Sequence, residues 1–504
     1  MSWDINLPIA IEQALDNCLA HGDTDIFPEP HIYQHWKRFP KQAIDATLSL
    51  HEFINRKHDF LKFDCIRSFV PSGPTGLRLG TQIEPIGNLY YLALTLLCAP
   101  GFEKNRQPMQ SDRIHSYRYQ HIDTECRIFQ PEIGWRSFQN KAKLNAEQYS
   151  YVVVCDIADF YRQIKPHSIA NALAKIECPL ELQQRLLLVL DLLELSVNGL
   201  PIGGPASRIL AEAVLCDVDA NFVLENMMYC RFVDDIRIFS NSQQIAFQQL
   251  LRVNEILYQE GFSLQKSKTR VLSTKEWIAE SSFHPVFTPT KGRVENLEDL
   301  RTLLMVPSLD PYSEMRAQND LRLEEFAKNP GALDFLKREL SKSRLHSVMT
   351  NHLLSSLQFM PILECGEAFI WLLDSRRSNK LAPVMTKILH TISMKFSKLS
   401  NPDAIQHAIE RLLCSNHYVT KISIHAAMML RVLQLSKRPI DAETKIYLKA
   451  QLLESSDTLL KVEILILFGI WKYSDEILEF QNRQVTQSQF EKQALDLAMT
   501  PHAF

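Results

Sequence analysis

The chain has 504 residues, which is enough for two to four domains that each bury a hydrophobic core. Its 55 basic and 58 acidic residues give a net charge of −3, so no overall cationic field points to nucleic acid, although a local basic groove is compatible with that balance. The ten cysteines are scattered without a CxxC pair, which favours free thiols in a reducing compartment over a disulfide framework or a zinc site.

The first residues, MSWDINLPIAIEQALDNC, have no basic flank and no long apolar core, which argues against a secretory signal. No uninterrupted apolar run reaches membrane-spanning length. We therefore expect a cytoplasmic protein that contacts no membrane.

The two parts of the chain differ in pattern. Twelve of the fifteen glycines precede residue 300. Before that residue, β-type runs such as YVVVCDI and VDDIRIF alternate with helical stretches, and after it apolar residues recur at helical spacing. The sequence therefore predicts a mostly helical region over 1–110, a small antiparallel sheet backed by helices over 111–290, and an all-α region over 300–504. The boundary is expected within residues 285–300.

Prolines and polar clusters cut the second part into helices of about 10–20 residues. Four or five HEAT-type units of about 40–47 residues would account for this region. An irregular helical bundle accounts for the pattern nearly as well.

The stretch YCRFVDDIRIFS, residues 229–240, places two adjacent aspartates between apolar runs. It predicts a hairpin in which Asp234 and Asp235 form the two-residue turn. Two acidic turn residues repel each other unless a cation lies between them. The simpler interpretation is a solvated turn without function.

A second acidic strand end favours the functional interpretation. YVVVCDIADF predicts a buried strand that ends at Asp156, with Asp159 three residues further on. If this strand pairs with the hairpin, Asp156, Asp234 and Asp235 converge. Oxygen ligands of this kind suit Mg²⁺ or Mn²⁺, and two such ions about 3.5–4 Å apart support phosphoryl transfer.

Two further stretches accompany these acids. NGLPIGGPASRILAEAVLCDVD, residues 198–219, predicts a glycine-rich loop followed by a helix that begins near Ser207. GFSLQKSKTRVL, residues 261–272, contains Lys268. This lysine belongs either to a solvated basic face or to a phosphoryl-transfer site, where it would supply charge or a proton to the leaving pyrophosphate.

The order of these motifs resembles the palm of a reverse transcriptase. The motifs are a strand that ends in aspartate, then GLPxGxxxS, then the paired aspartates, and then GxxLxxxKT. The resemblance implies fingers and a palm, two metal ions held by Asp156, Asp234, Asp235 and the backbone carbonyl of Ile157, and Lys268 as general acid. It implies that Tyr161 excludes a ribose 2′-hydroxyl, so that the substrates are dNTPs. The other residues it places near the nucleotide are Asp159, Gly203 and Ser207, with Arg118 and Arg127 in the fingers as alternatives to plain structural ion pairs.

The sequence also departs from that pattern. Ile202 stands where glutamine is typical, and Arg208 stands where proline often follows the serine. No familiar primer-grip or thumb segment follows Leu272. These departures argue against ordinary binding of a primer–template duplex.

A palm followed by a long helical region resembles the bacterial abortive-infection reverse transcriptases, AbiK-like and prophage-borne. DIFPEPHIYQHW and SYR at 116–118 resemble the same subgroup. The resemblance implies a bacterial cytoplasmic protein that forms trimers or larger homo-oligomers and acts against phage. It implies untemplated synthesis of single-stranded DNA from a protein tyrosine, to which the product stays attached. Tyr33 is the candidate priming residue.

Two alternatives remain. A conventional template-copying reverse transcriptase would require added primer and template. A helical scaffold with a retired palm would have no activity, although it would have no need to keep three clustered acids.

Overall fold

A computed structural model describes residues 3–56, 63–72, 76–194, 199–281, 316–342, 345, 347–483 and 488–500. These residues form many helices and eight short strands, which agrees with the predicted α+β class. The strands are β1 (Cys65–Ser72), β2 (Gly76–Ile83), β3 (Tyr119–Ile122), β4 (Arg127–Phe129), β5 (Tyr151–Asp156), β6 (Met228–Phe232), β7 (Asp235–Ser240) and β8 (Arg270–Ser273).

The helices divide into those before and those after the predicted boundary, which itself lies outside the described residues. The first set is α1 (Leu7–His21), α2 (Ile32–Arg38), α3 (Pro40–Arg56), α4 (Pro85–Asn105), α5 (Trp135–Ala146), α6 (Phe160–Gln163), α7 (Pro166–Lys175), α8 (Leu180–Glu194), α9 (Pro205–Val214), α10 (Cys216–Leu224), α11 (Gln243–Gln259) and α12 (Thr274–Ser281). The second set is α13 (Arg316–Ala327), α14 (Ala332–Ser341), α15 (Ser347–Ser356), α16 (Ile362–Leu372), α17 (Ser375–Leu381), α18 (Met385–Lys395), α19 (Pro402–Cys414), α20 (Ser423–Gln434), α21 (Ala442–Glu454), α22 (Thr458–Ile470), α23 (Ser474–Arg483) and α24 (Gln489–Met499).

The central sheet is antiparallel, with strand order β6-β7-β5-β8. Strand β5 pairs with a neighbour on each side, and Val152, Val153 and Cys155 are fully buried. This placement explains why its apolar run is continuous rather than alternating. Helices α5 and α11 pack against the sheet, while α4 packs against α1 and α9.

Helix α4 is the centre of the first core, and residues Leu89–Leu94 along it are almost completely buried. By length and composition α4 could span a membrane, which the search for uninterrupted apolar runs did not predict. However, 78% of its most apolar window is buried inside the protein, as in the core helix of a globular domain.

The first 110 residues contain one feature that the mostly helical prediction missed. Strands β1 and β2 form an antiparallel hairpin from Cys65 opposite Ile83 to Ser72 opposite Gly76. Ile66 on this hairpin packs into the core of the C-terminal helices together with Phe27. The hairpin thus depends on contacts with residues more than 250 positions away, which local sequence pattern does not reveal.

Every described element after residue 315 is a helix, which confirms the all-α prediction for the described part of that region. Helix α22 lies between α20 and α24, and almost all of its residues are buried. The HEAT-like repeat arrangement remains a prediction.

A buried carboxylate links the two parts of the chain. Glu463 on α22 is fully buried, with its Oε1 2.8 Å from Arg431 and its Oε2 2.9 Å from His31 Nε2. Burial alone would raise the pKa of Glu463, but Arg431 and His31 outweigh it and lower that pKa to about 2. Arg431 also donates to the carbonyl of Glu29 at 2.6 Å. The C-terminal helices are therefore fixed to the segment that follows α1.

We predict that Glu463→Ala lowers the free energy of unfolding by about 3–5 kcal/mol, because it leaves Arg431 without its buried partner. Urea denaturation followed by circular dichroism measures this loss. The matched control is Glu367→Ala, since Glu367 forms an exposed pair with Lys337, and it should cost at most about 1 kcal/mol. Equal losses in the two variants would contradict the linking role of Glu463.

Candidate active site

The hairpin that carries the paired aspartates turns one residue earlier than predicted. Phe232 pairs with Asp235, so the two turn residues are Val233 and Asp234, and Asp235 already belongs to β7. Val233 has a φ of +53°, which is costly for a β-branched residue, by about 1–3 kcal/mol. The prediction of an Asp-Asp turn was therefore wrong by one residue, and the shift places Asp235 in the strand.

The register of the sheet brings the predicted acids together. Asp156 at the end of β5 lies directly opposite Asp235 at the start of β7. The amide of Ile157 donates to the carbonyl of Asp234 at 3.1 Å, which holds the turn against the end of β5. The predicted convergence of Asp156, Asp234 and Asp235 is thus present.

The carboxylates repel one another. Burial first, and then Asp235 and Asp156, raise the pKa of Asp234 to about 6. Burial likewise raises the pKa of Asp235, which Arg237 partly offsets from 3.4 Å. A site that concentrates negative charge in this way is suited to a divalent cation.

The segment after α11 completes the site. Gln265 donates its amide to the carbonyl of Asp156 at 2.7 Å, and Ala158 donates its own to the carbonyl of Ser263 at 2.8 Å. This pairing brings Lys268 Nζ to 2.7 Å from Asp156 Oδ2. Lys268 is more than half exposed, so it is accessible to a ligand as well as to Asp156.

A charge cluster under the hairpin was not predicted from the sequence. Arg231 on β6 is fully buried and donates to Asp219 at 2.6 and 3.0 Å and to Glu212 at 3.1 Å. It also donates to the carbonyl of Val233 at 3.1 Å, which fixes the turn. In the sequence, the acids and the arginine of this cluster stand among apolar residues, in VLCDVD and YCRFV. They lie on separate elements, so the sequence alone does not indicate that they pair.

The glycine-rich loop lies against the segment that follows β5. Gly199 has a φ of +87°, and a Cβ there would come within 2.5 Å of the carbonyl oxygen of Tyr161. The amide of Leu200 donates to that same oxygen at 2.9 Å. Burial raises the pKa of the Tyr161 hydroxyl well above its ordinary value, and Asp234 is among the nearby charges. The charge of Asp234 therefore acts on the Tyr161 hydroxyl, while Asp159 directly precedes α6 and is exposed.

Other predicted residues border a cavity beside the hairpin. The cavity measures about 420 Å³, and it is lined in part by Gly203, Arg127 and Phe232. Arg127 is half-buried, and its nearest acidic partner is the exposed Glu125 at 2.7 Å. Arg127 and Gly203 are thus placed where they can contact a ligand.

Two residues assigned to the nucleotide are buried. Arg118 is buried, where it pairs with Glu103 at 2.7 Å and donates to the carbonyl of Gln107 at 2.6 Å. Ser207 is buried on α9, with its hydroxyl 3.4 Å from that of Tyr91. Both side chains have structural partners, so the structure argues against their contact with nucleotide.

Tyr33, the candidate priming residue, is also outside the site. Its side chain is fully buried in the first core, and burial raises the pKa of its hydroxyl well above the ordinary value. A buried hydroxyl cannot receive a nucleotide in this conformation, so the structure argues against Tyr33 as the primer.

The three aspartates offer the oxygen ligands that divalent ions prefer. Their carboxylate oxygens do not all lie within 4.8 Å of one another, as they would around a bound ion. Among the described residues, the group of possible metal ligands that meets this distance is His407, Glu410 and Asp441. In that group Arg438 already neutralises Glu410 at 2.9 Å. At the aspartates, Lys268 pairs with Asp156 and Arg237 pairs more loosely with Asp235, while no ion pair to Asp234 is present among the described residues. The donor set and its mutual repulsion therefore fit a divalent ion.

Residues 100–294 match the model of a family described as reverse transcriptase (RNA-dependent DNA polymerase). The chain therefore contains a reverse transcriptase domain, which occupies less than half of its length. Enzymes of this kind are nucleotidyltransferases that use divalent metal ions and act on nucleotides and nucleic acid. No curated protein matches the chain.

Solved structures similar to this chain include two telomerases. A telomerase from Candida albicans, in complex with a fragment of telomeric RNA, is 12% identical over 76% of this chain, with a TM-score of 0.31. An apo telomerase from Candida tropicalis is 10% identical over 90% of this chain and 74% of its own, with a TM-score of 0.30. The chain spans 64% of the C. albicans telomerase chain. At these scores the likeness carries no argument about function.

We predict that Mg²⁺ at pH 7.5 raises the melting temperature of the protein by a few degrees, because the ion relieves the repulsion among the aspartates. Asp234→Asn should abolish this shift and leave the metal-free protein at least as stable. The raised pKa of Asp234 means that the metal-free protein loses stability as pH rises from about 4 through about 6. Asp191→Asn, on the exposed face of α8, is the control. A full Mg²⁺ shift in Asp234→Asn would contradict the metal site.

We also predict that Lys268→Met lowers kcat for nucleotide addition about a hundredfold, since a proton donor in such a step contributes about 10²–10⁴. Mg²⁺ affinity should stay the same or increase, because Asp156 loses its competing cation. Lys266→Met, at a nearby exposed lysine, should leave the rate unchanged. Wild-type kcat in Lys268→Arg would show that positive charge alone is needed and that Lys268 gives no proton.

Proposed function

We propose that the protein is a two-metal DNA polymerase of reverse transcriptase type that adds dNTPs without a template to a protein tyrosine. In this proposal it acts in the bacterial cytoplasm as a homo-oligomer during abortive infection by phage. The observation that carries the polymerase assignment is the register of Asp156 opposite Asp235, with Asp234 at the adjoining turn and Lys268 on Asp156.

The chain's own residues have separate tasks in this mechanism. Asp156, Asp234 and Asp235 would hold Mg²⁺ or Mn²⁺ together with the backbone carbonyl of Ile157, and two such ions would supply positive charge to the attacking and leaving oxygens of the phosphoryl transfer. Lys268, which reaches the same carboxylate cluster, gives a proton or positive charge to the leaving pyrophosphate.

Tyr161 supports the choice of dNTPs. The resemblance places its ring beside the sugar, and its backbone is held by Leu200 and closely approached by Gly199. A fixed aromatic ring beside the sugar would clash with a ribose 2′-hydroxyl. Asp159, which is exposed at the start of α6, lies on the same segment as Tyr161.

Priming from a tyrosine rests on the resemblance to the abortive-infection enzymes. The hydroxyl must be accessible, which Tyr33 is not. Tyr258 near the end of α11 is 83% exposed, and α11 leads directly into the segment that pairs with the end of β5. We therefore favour an exposed tyrosine such as Tyr258 over Tyr33.

The test is incubation of the purified protein with Mg²⁺ or Mn²⁺ and labelled dNTPs, without primer or template, followed by a denaturing gel. We expect label that stays with the protein through denaturation and is absent in Asp234→Ala/Asp235→Ala. Peptide mapping then identifies the primed residue, and Tyr33→Phe should label as well as wild type does.

Other outcomes distinguish the alternatives. Label that appears only with added primer–template, and falls steeply with salt, would establish a conventional reverse transcriptase instead. No product under either condition, together with no Mg²⁺-dependent rise in melting temperature, would favour a non-catalytic helical scaffold.

A further inference from the structure

Two cysteine thiols lie in contact where the central helix of the first core meets the end of α7. Cys98 is on α4, Cys178 lies in the short connection between α7 and α8, and their sulfur atoms are 3.8 Å apart. Both are free thiols in this structure. The contact joins positions that are 80 residues apart in the sequence, so the scattered cysteines of the sequence did not predict it.

The backbone fixes the position of Cys178. Glu177 has a left-handed φ of +52° and donates its amide to the carbonyl of Ala174 at 3.2 Å, while Cys178 donates its amide to the carbonyl of Leu173 at 3.2 Å. These two bonds are the Schellman arrangement that ends a helix, so the residue after the left-handed position has a fixed place. Cys178 is therefore held at the end of α7, close to α4.

A glycine on α4 allows the two elements to approach each other. Gly101 lies one turn after Cys98, and a Cβ there would come 3.0 Å from Ile176 Cδ1 and 3.1 Å from Ile176 Cβ. Because interiors are close-packed, a larger residue at position 101 would push the end of α7 away from α4. Gly101 and Ile176 thus set the spacing at which the two sulfur atoms meet.

The two thiols differ in exposure. Cys98 is 2% exposed, whereas Cys178 is half-buried between the exposed residues Glu177 and Pro179. A small oxidant in solution can therefore reach the sulfur of Cys178 directly. Cys98, buried beside it, is placed to react second.

The two thiols also differ in acidity. The hydrogen bond from Cys98 lowers the pKa of the Cys178 thiol, and the same bond together with burial raises the pKa of Cys98 well above its ordinary value. At the half-buried Cys126 and Cys414, by contrast, burial raises the pKa of the thiol. Since the thiolate is the nucleophilic form, Cys178 is the more reactive member of the pair.

We propose that Cys178 and Cys98 form a redox pair, which hydrogen peroxide converts into a reversible disulfide that fastens the end of α7 to the central helix α4. In the first step the Cys178 thiolate attacks a peroxide oxygen. An S–O bond forms, the O–O bond breaks, and the departing oxygen takes up protons and leaves as water. Cys178 is then a sulfenic acid, and its sulfur has lost two electrons to the peroxide.

In the second step the Cys98 sulfur attacks the sulfur of Cys178. The S–S bond forms, the S–O bond breaks, and the oxygen leaves as a second water with the proton from Cys98. The disulfide closes a loop of about 80 residues that contains Asp156 and Tyr161. A bond of this span restricts the unfolded chain, so peroxide should make this part of the protein harder to unfold.

The experiment treats the reduced full chain with hydrogen peroxide at pH 7.5, blocks the remaining thiols with N-ethylmaleimide and digests the protein without reductant. We expect mass spectrometry to find peptides joined through Cys98 and Cys178, with the loss of two hydrogen atoms. Calorimetry should give a melting temperature about 5 °C above that of the reduced protein. Dithiothreitol should reverse both changes.

Variants separate the two steps. In Cys98→Ser the reaction should stop at the sulfenic acid of Cys178, which dimedone traps, whereas Cys178→Ser should give neither the joined peptides nor the dimedone adduct. Cys414→Ser is the matched control, because Cys414 is also half-buried and its sulfur lies 3.5 Å from the Thr444 hydroxyl. This control should form the joined peptides as wild type does.

Two results would overturn the proposal: recovery of Cys98 as a free thiol after peroxide treatment of the wild-type protein, or a full rise in melting temperature in Cys178→Ser. The proposal does not depend on polymerase activity. Both results are read without nucleotide, so the redox pair and the polymerase function fail separately.

Discussion

The position of the paired aspartates depends on a charge cluster buried beneath the strand that precedes them. Arg231 is fully buried, and it is stable there because Asp219 and Glu212 together surround its guanidinium group. Arg106 balances the second carboxylate, at 2.7 Å from Glu212. Burial would raise the pKa of Glu212, but the two arginines outweigh it and lower that pKa. Two cations and two anions are thus buried without net charge, which is the condition under which burial of ions is tolerated.

This cluster makes a crowded site possible. The hairpin holds Val233 at an unfavourable φ and brings carboxylates together at one edge of the sheet, and both features cost stability. Arg231 offsets part of that cost because its guanidinium group donates a hydrogen bond to the carbonyl of Val233. The backbone amide of Ile157 donates a second hydrogen bond, to the carbonyl of Asp234. The backbone of the turn is therefore fixed before any metal binds, which is the preorganisation that phosphoryl transfer requires. The C-terminal helices are fixed to the same part of the protein, since Glu463 and Arg431 hold the segment that follows α1.

Local pattern predicted the elements that carry the chemistry, because a continuous apolar strand with an acid at its end is visible in a few residues. Asp156, Asp234 and Asp235 converge for that reason, and Lys268 arrives through a segment that pairs with β5. Contacts between residues far apart in the sequence could not be predicted in this way. Arg118 and Ser207 were predicted as ligand residues, and the structure shows that Arg118 pairs with Glu103 and that Ser207 contacts Tyr91. Likewise, nothing near Asp25 in the sequence announces its pairing with Arg208, 183 positions away.

The most direct test of the account is a crystal structure of the full chain soaked with Mn²⁺ and a dNTP, recorded with anomalous scattering from manganese. We expect two anomalous peaks about 3.5–4 Å apart, coordinated by Asp156, Asp234 and Asp235. Lys268 should have moved from Asp156 towards the phosphates. Peaks elsewhere, such as at Glu410 and Asp441, with Lys268 still bound to Asp156 would contradict a polymerase site at the paired aspartates.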